Sequence, residues 1–300
     1  MNHRTLGRTG LSVTELGFGA YEIGFTHIDE SEEVGRLLNR ALDLGINFVD
    51  SSAAYFWSEE LISKYIGHRR GEFIFASKCG SWRVLQPNGE WVQTLDYSAK
   101  AIEPQIDRTL QRLNIDTIDI MQLHSPSYDD VANGDGLEGL KKAQAAGKIR
   151  FTCISADGPT ALKAIEIGEF DTLQLTYNIL DQQSEEVIAA AREKDMGIII
   201  KNPIANAIYE KPRPEDDGAD LWDRAQRILS DEVTGNESRV DTALRWLLSD
   251  EKVHTAIVGT TNINHLEQNV AAAERGQLDD SVLERARQLF DEQIAEEESG

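Results

Sequence analysis

The stretch GINFVDSSAAYFWSEELI, residues 45–62, contains one complete structural unit in miniature. Gly45 stands where a helix should stop, because glycine takes up the left-handed cap conformation without a side-chain clash. Asn47–Asp50 is a short β-prone run, and after a loop the pattern returns to helical spacing. Upstream, Val34, Leu37, Leu38, Ala41 and Leu42 fall at i, i+3, i+4, i+7 and i+8, which puts them on one face of a helix. Working outward, short runs of this kind recur at Glu15–Phe18, Phe73–Ser77, Ile118–Leu123, Arg150–Ile154, Thr172–Leu175, Gly197–Lys201 and Thr255–Val258. With Asn47–Asp50 they make a βα unit repeated eight times.

Further helical punctuation agrees, with Ile102, Ile106, Thr109, Leu110 and Leu113 on one face and Gly147 before the next strand. Helix-covered strands in strict alternation predict a parallel sheet, and closing it removes the exposed edges. An open doubly wound sheet is the alternative, but no G-x-G-x-x-G follows the first strand and no G-x-x-x-x-G-K-[ST] occurs. We expect an α/β fold: a single (β/α)8 TIM barrel domain over residues 1–300, with an N-terminal β-hairpin and a C-terminal helix.

The 300 residues carry 52 acidic and 30 basic side chains, a net charge of −22, which a phosphate backbone would be repelled by. Nucleic acid is not an expected partner. No apolar run approaches the ~18 residues of a membrane span, and no leader pattern opens the chain, so a soluble, cytoplasmic protein is expected. Cys79 and Cys153 are too few for a disulfide framework and form no C-x-x-C pair, so no metal site is expected. The acidic excess reads either as a solubilising surface or as an adaptation to high salt. Oligomeric state leaves no trace in the sequence.

Two segments break the rhythm. Gly80–Tyr97 is longer than ordinary connections and carries Trp82 and Trp91, which marks it as functional. Glu210–Asp220, with Pro212, Pro214 and several acids, reads as a mobile loop, and the tail Glu296–Gly300 as frayed.

In such a barrel, chemistry sits at the C-terminal ends of the strands. There Asp50 ends the second strand, Tyr55 lies in the loop after it, Lys78 follows the third and His124 the fourth. Singly, these read as a helix cap, a half-buried aromatic, a solvated lysine and a core histidine. Together they suit proton donation to a carbonyl oxygen: Lys78 would lower the phenol pKa of Tyr55, Asp50 would hold Lys78, and His124 would orient the carbonyl. Side chains carry no hydride, so a nicotinamide cofactor is implied.

The segments NHRTLGRTGLSVTELGFGAYEIG (2–24), GINFVDSSAAYFWSEELI (45–62), FIFASKCG (73–80) and DTIDIMQLHSP (116–126) together resemble the aldo-keto reductases, NADP(H)-dependent enzymes on an (α/β)8 barrel. The resemblance covers nearly the whole chain and implies a catalytic tetrad of Asp50, Tyr55, Lys78 and His124, with Tyr55 as general acid in carbonyl reduction. It implies cofactor contacts at Gly19, Ala20 and Tyr21, at Ser155 and Gln174, and at Lys201 and Pro203. It also implies them at Gly259, Thr260, Thr261, His265, Gln268 and Asn269 in AIVGTTNINHLEQN (256–269). Three departures stand out. Ala156 replaces the family's asparagine after Ser155, with Asp157 beside it as a substitute; Lys201 replaces the aromatic residue that stacks on the nicotinamide; and His265 and Gln268 stand where Lys or Arg and Glu are usual. NADP(H) is implied, with NAD(H) left open.

Trp57, Trp82 and Trp91 are candidates for the wall of a substrate pocket, while Trp222 and Trp246 sit in helical patterns and are assigned to packing. Cys79 has no paired histidine and reads as structural, and His27 as a surface residue. The expected activity is reduction of a small-molecule aldehyde or ketone. Two other readings use the same residues: a cofactor-binding redox sensor with negligible turnover, and a Schiff-base lyase employing Lys78 or Lys201.

Overall fold

The computed structural model describes residues 1–215 and 218–299. Strands β1 (His3–Thr5) and β2 (Ser12–Thr14) pair antiparallel as the expected N-terminal hairpin. The barrel follows with β3 (Leu16–Gly19), β4 (Phe48–Asp50) and β5 (Ile74–Cys79). A second hairpin, β6 (Ser81–Leu85) and β7 (Trp91–Leu95), interrupts it. The barrel resumes with β8 (Ile118–His124), β9 (Ile149–Ser155), β10 (Thr172–Thr176), β11 (Gly197–Lys201) and β12 (Thr255–Gly259). Its eight strands are parallel and closed, β12 pairing with β3 so that Gly259 lies opposite Gly19.

All eight expected strands form, with boundaries shifted by one or two residues at most. Parallel pairing runs further toward the C-terminal ends than the hydrophobic pattern does, through Lys78↔Gln122 and His124↔Ser155. Lys78, His124 and Ser155 are therefore strand residues rather than the first residues of loops. Covering helices run over Glu32–Asp43, Ser58–Ile66, Ala99–Leu113, Asp135–Ala145, Gly158–Ile167, Glu185–Glu193, Arg239–Leu248 and Ile263–Glu274. Gly45 and Gly147 take the expected positive φ, at +87° and +74°.

Alternation along the strands sorts the barrel interior into a dry floor and a polar upper layer. Phe48, Ala76, Ile120, Cys153 and Ile199 pack with Leu6, Leu11 and Val13 of the first hairpin, which plugs the base. Residues two positions on share the same face of a strand. Those residues are Asp50, Lys78, Gln122, Ser155 and Lys201. The other strand face, including Val49, Phe75, Met121, Ile154 and Ile200, joins the helices in the main core. Each fully buried aliphatic or Phe side chain there contributes about 1.5–3 kcal/mol.

Gly80–Tyr97 holds the β6–β7 hairpin, whose strands are joined through Asn88-Gly89, with Gly89 at φ +86°. The segment expected to be a mobile loop is tied where described: Trp222 Nε1 donates to Lys211 O at 2.9 Å, and Arg213 pairs with Asp223 at 2.6 Å. Asp216 and Asp217 lie outside the described residues. The expected fraying from Glu296 is not found, because the C-terminal helix Asp280–Ser299 continues through it. Glu296 and Glu297 there pair with Arg227 and Arg224. Gly300 lies outside the described residues. Among the described residues, no helix is long and apolar enough to cross a membrane.

Candidate active site

The loop after β4 is short and tightly bonded, and this turns Tyr55 back over the barrel mouth. Ser51 N donates to Ala76 O at 2.8 Å, Tyr55 N to Ser52 O at 2.9 Å, and Ser58 Oγ to Ala20 O at 2.8 Å. Phe56 reverses the chain at φ +50°. The Tyr55 ring centroid comes to lie 4.7 Å from Lys78 Nζ, and 5.6 Å from the His124 ring at 84°. All four residues expected to act together are thus brought together.

Below the tyrosine lies a buried charge network. Lys78 and Asp50 form an ion pair with both side chains 1% exposed, and Lys78 Nζ also donates to Ser51 O at 2.8 Å. The second Asp50 oxygen accepts from Gln122 Nε2 at 2.6 Å and Gln174 Nε2 at 3.0 Å. Ser155 Oγ in turn donates to Gln174 Oε1 at 3.0 Å. A buried ion pair repays desolvation only when its remaining lone pairs are satisfied, and these amides do that. Burial disfavours the Lys78 charge, but Asp50 and Tyr55 outweigh it and leave its pKa above the ordinary value.

The tyrosine differs from expectation. Burial pushes the Tyr55 phenol above its ordinary pKa; Lys78 pulls it down, but Asp50 and Glu22 push it up again. Burial outweighs the pull of Lys78, which the aspartate holding the lysine also opposes, so the phenol keeps its proton. His124 is held neutral, its pKa lowered to about 3 by burial and then by the charges of Lys78, Lys201 and Arg83. Its Nδ1 lies 3.0 Å from Ser52 Oγ, and its carbonyl accepts from Tyr97 Oη at 2.5 Å.

Over this centre the loop after β4 and the β6–β7 hairpin build an aromatic wall. Trp91 meets Phe56 and Trp57 edge-on, with centroids 5.5 and 5.3 Å apart. Phe56 continues to Phe25 at 4.6 Å, and Tyr21 bridges Phe25 and Tyr55 at 5.0 Å each. Trp82 lies on the strand face opposite Arg83 and makes no ring contact with this group among the described residues. His27 is exposed and touches Trp57 from outside at 5.3 Å. Trp246 is buried against Tyr177, as its helical setting suggests, while Trp222 is only half-buried. Both cysteines are buried thiols, and burial pushes Cys153 up to about 12 and Cys79 further.

The sequence reading missed Ser52, Gln122, Phe56 and Arg83. For Gln122 a signal exists: it lies two residues before His124 and so on the same strand face.

The Aldo/keto reductase family model matches residues 15–291. The chain belongs to the aldo/keto reductase family. It is accordingly an enzyme, an oxidoreductase. It is 27% identical to L-galactose dehydrogenase of Arabidopsis thaliana, over 90% of this chain and 87% of that protein. With an NADP(+) aldo-keto reductase of Schizosaccharomyces pombe the identity is 28%, over 93% and 89%. The holo form of an aldo-keto reductase from Bacillus halodurans superposes with a TM-score of 0.84 at 26% identity, covering 96% of each chain.

In this aldo/keto reductase the expected cofactor positions ring the same end of the barrel. Gly19 and Gly259 face each other across the β3–β12 seam, with Ala20 buried and Tyr21 exposed beside them. Glu22 lies against Gly259, where an added Cβ would fall 1.8 Å from its Oε2. Ser155 and Gln174 are bonded to each other, and Gln174 to Asp50, so these groups also support the network beneath. Lys201 pairs with Asp157 at 2.9 Å, and Asp157 also accepts from Thr176 N at 2.6 Å. Pro203 follows Asn202, whose φ is +53°. Thr260 Oγ1 accepts from Asn262 N at 3.0 Å, and Asn262 caps the helix Ile263–Glu274. Thr261, His265 and Gln268 are exposed, and Asn269 is buried.

Proposed function

We propose that this enzyme reduces an aldehyde or ketone to an alcohol with NADP(H), NAD(H) being the alternative donor, and that Tyr55 supplies the proton. The observation that carries this reading is the Lys78–Asp50 pair buried beneath the Tyr55 ring and beside a neutral His124. When bound, the nicotinamide supplies a hydride to the carbonyl carbon. Tyr55 then gives its phenolic proton to the carbonyl oxygen, a downhill transfer because an alkoxide is a stronger base than a phenolate. Lys78 stabilises the phenolate left behind, and Asp50 keeps Lys78 charged and aimed. His124, neutral and therefore carrying a single N–H, donates to the same oxygen and orients it.

The chain's own residues suit a dinucleotide at the rim. The exposed Thr261, His265 and Gln268 are donors for the adenosine end, and the Glu22 carboxylate lies against Gly259 at the β3–β12 seam beside them. Lys201 stands where the family places a ring, and its ammonium answers Asp157. A relative named for NADP(+) supports the phosphorylated cofactor. The Schiff-base reading needs an unprotonated amine, whereas Lys78 is ion-paired with its pKa raised.

Tryptophan quenching by NADPH and by NADH, followed by a carbonyl screen reading nicotinamide absorbance, tests the proposal. Saturable quenching with carbonyl-dependent oxidation is expected. Tight binding without oxidation by any carbonyl would instead leave the redox-sensor reading, and no binding of either nucleotide would overturn both.

A further inference from the structure

Three cations govern the field at His124: Lys78, Lys201 and Arg83. Lys78 is answered by Asp50 and Lys201 by Asp157. Arg83 is not. Among the described residues no carboxylate comes within ion-pairing distance of its guanidinium, in a chain whose net charge is −22. Its Nη1 donates to Ala54 O at 2.9 Å and its Nη2 to Gln93 Oε1 at 3.2 Å, both neutral oxygens. The plane lies over the Phe56 ring, 4.5 Å from its centroid. A guanidinium carries five N–H donors, so these contacts fix the fork while leaving donors unspent.

Position adds to charge. Arg83 is half-buried on β6, its backbone N bonded to Ala53 O at 3.1 Å, and so sits directly on the loop that carries Tyr55. Beside it run Phe56, Trp91 and Trp57, an apolar wall ending at the site. A substrate whose carbonyl reaches Tyr55 and His124 would lay its body along this wall and its far end near the guanidinium. A surface this acidic repels anions at long range, so a bound anion requires a local cation with no acid of its own.

Resting on the reductase reading above, we propose that Arg83 recognises a negatively charged substituent, carboxylate or phosphate, on the carbonyl substrate. Anionic aldehydes and ketones are then preferred over their neutral counterparts. Charge-assisted hydrogen bonds of this kind change affinity by about tenfold to a hundredfold.

The test compares kcat/KM for 4-carboxybenzaldehyde and its neutral methyl ester, methyl 4-formylbenzoate, in the wild type, Arg83→Gln and Arg83→Lys. A second pair, glyceraldehyde 3-phosphate and glyceraldehyde, separates phosphate from carboxylate. Because Arg83 also braces the Tyr55 loop, the ratio within a pair is the readout rather than either rate. For the preferred anion the wild-type ratio is expected above about tenfold, carried by KM, falling to near one in Arg83→Gln and lying between in Arg83→Lys. A wild-type ratio of one or less in both pairs, or a ratio that survives Arg83→Gln, overturns the proposal. Tryptophan quenching by 4-(hydroxymethyl)benzoate and by glycerol 3-phosphate, the corresponding alcohols, needs no turnover. Arg83-dependent quenching by either without carbonyl reduction would sustain anion recognition and sink the reductase reading. An active reductase that neither alcohol quenches would sink anion recognition alone.

Discussion

Ser52 Oγ stands 3.0 Å from His124 Nδ1 while accepting the Ala54 N–H, also at 3.0 Å. Ser52 is buried and, among the described residues, His124 Nδ1 is the acceptor within reach of its hydroxyl proton, so we assign the imidazole proton to Nε2. Ser52→Ala frees the ring to adopt the other tautomer. We expect kcat/KM to fall about tenfold, with the His124 nitrogen chemical shifts moving toward a mixture of tautomers in NMR spectra. Unchanged shifts together with an unchanged rate would show that Ser52 does not orient the ring.

Tyr55→Phe removes the proposed acid and leaves the ring in place. Turnover should drop by about 10²–10⁴, while NADPH quenching stays within about twofold of wild type, since the lost interaction belongs to the transition state. The activity profile follows from the two perturbed groups. His124, lowered to about 3, gives no limb between pH 5 and 8, and the raised Tyr55 keeps the acid form through neutrality, so reduction declines only on the alkaline side. A limb near the ordinary histidine pKa would contradict the assignment.

Stability has a separate pH lever at the base of the barrel. His254 is buried with its pKa lowered to about 3 by burial, then by Arg192 and Arg4, and its Nδ1 accepts from Ile198 N at 2.8 Å. The unfolded chain protonates this ring near pH 6.5 and the folded one does not, so stability is lost as pH falls from about 6.5 toward 3. His254→Asn keeps an acceptor for Ile198 and removes the titration. Its Tm should start lower at pH 7 and then fall less than wild type on going to pH 5. Each kcal/mol of difference is worth about 2–4 °C in a chain of this size. Parallel curves would exclude the histidine as the cause.

Gly80 takes φ +86°, and a Cβ there would lie 2.2 Å from the Tyr97 ring. Gly80→Ala must strain the backbone and displace the tyrosine whose hydroxyl holds the His124 carbonyl. We expect a loss of about 2–4 kcal/mol in denaturant unfolding, with reduced turnover. A loss below about 0.5 kcal/mol would mean that this turn relaxes freely.

Periodicity exposed the barrel because each strand and helix repeats its own signature locally. The four chemical residues were legible for the same reason: each lies at or near a strand end. What periodicity does not encode is pairing across the barrel. Gln122 and Gln174 meet on Asp50 only because the sheet closes, and Ser52 meets His124 across two strands. The raised Tyr55 pKa was missed for a related reason, since a lysine's field was counted without the burial and the aspartate that oppose it. The β6–β7 hairpin was recognised as unusual but read without its strands, because long-range contacts, not length, make Trp91 and Arg83 parts of the wall.

The β3–β12 seam joins Leu16–Gly19 to Ala256–Gly259, strands from opposite ends of the chain. During synthesis the apolar plug of Leu6, Leu11 and Val13, and the open edge of β3, emerge from the ribosome long before their last partner does. No arrangement of the earlier strands can close this ring, so the nascent chain must wait with an unpaired edge until β12 is released. In that interval the unpaired edge of β3 and the apolar plug are open to pairing with other chains.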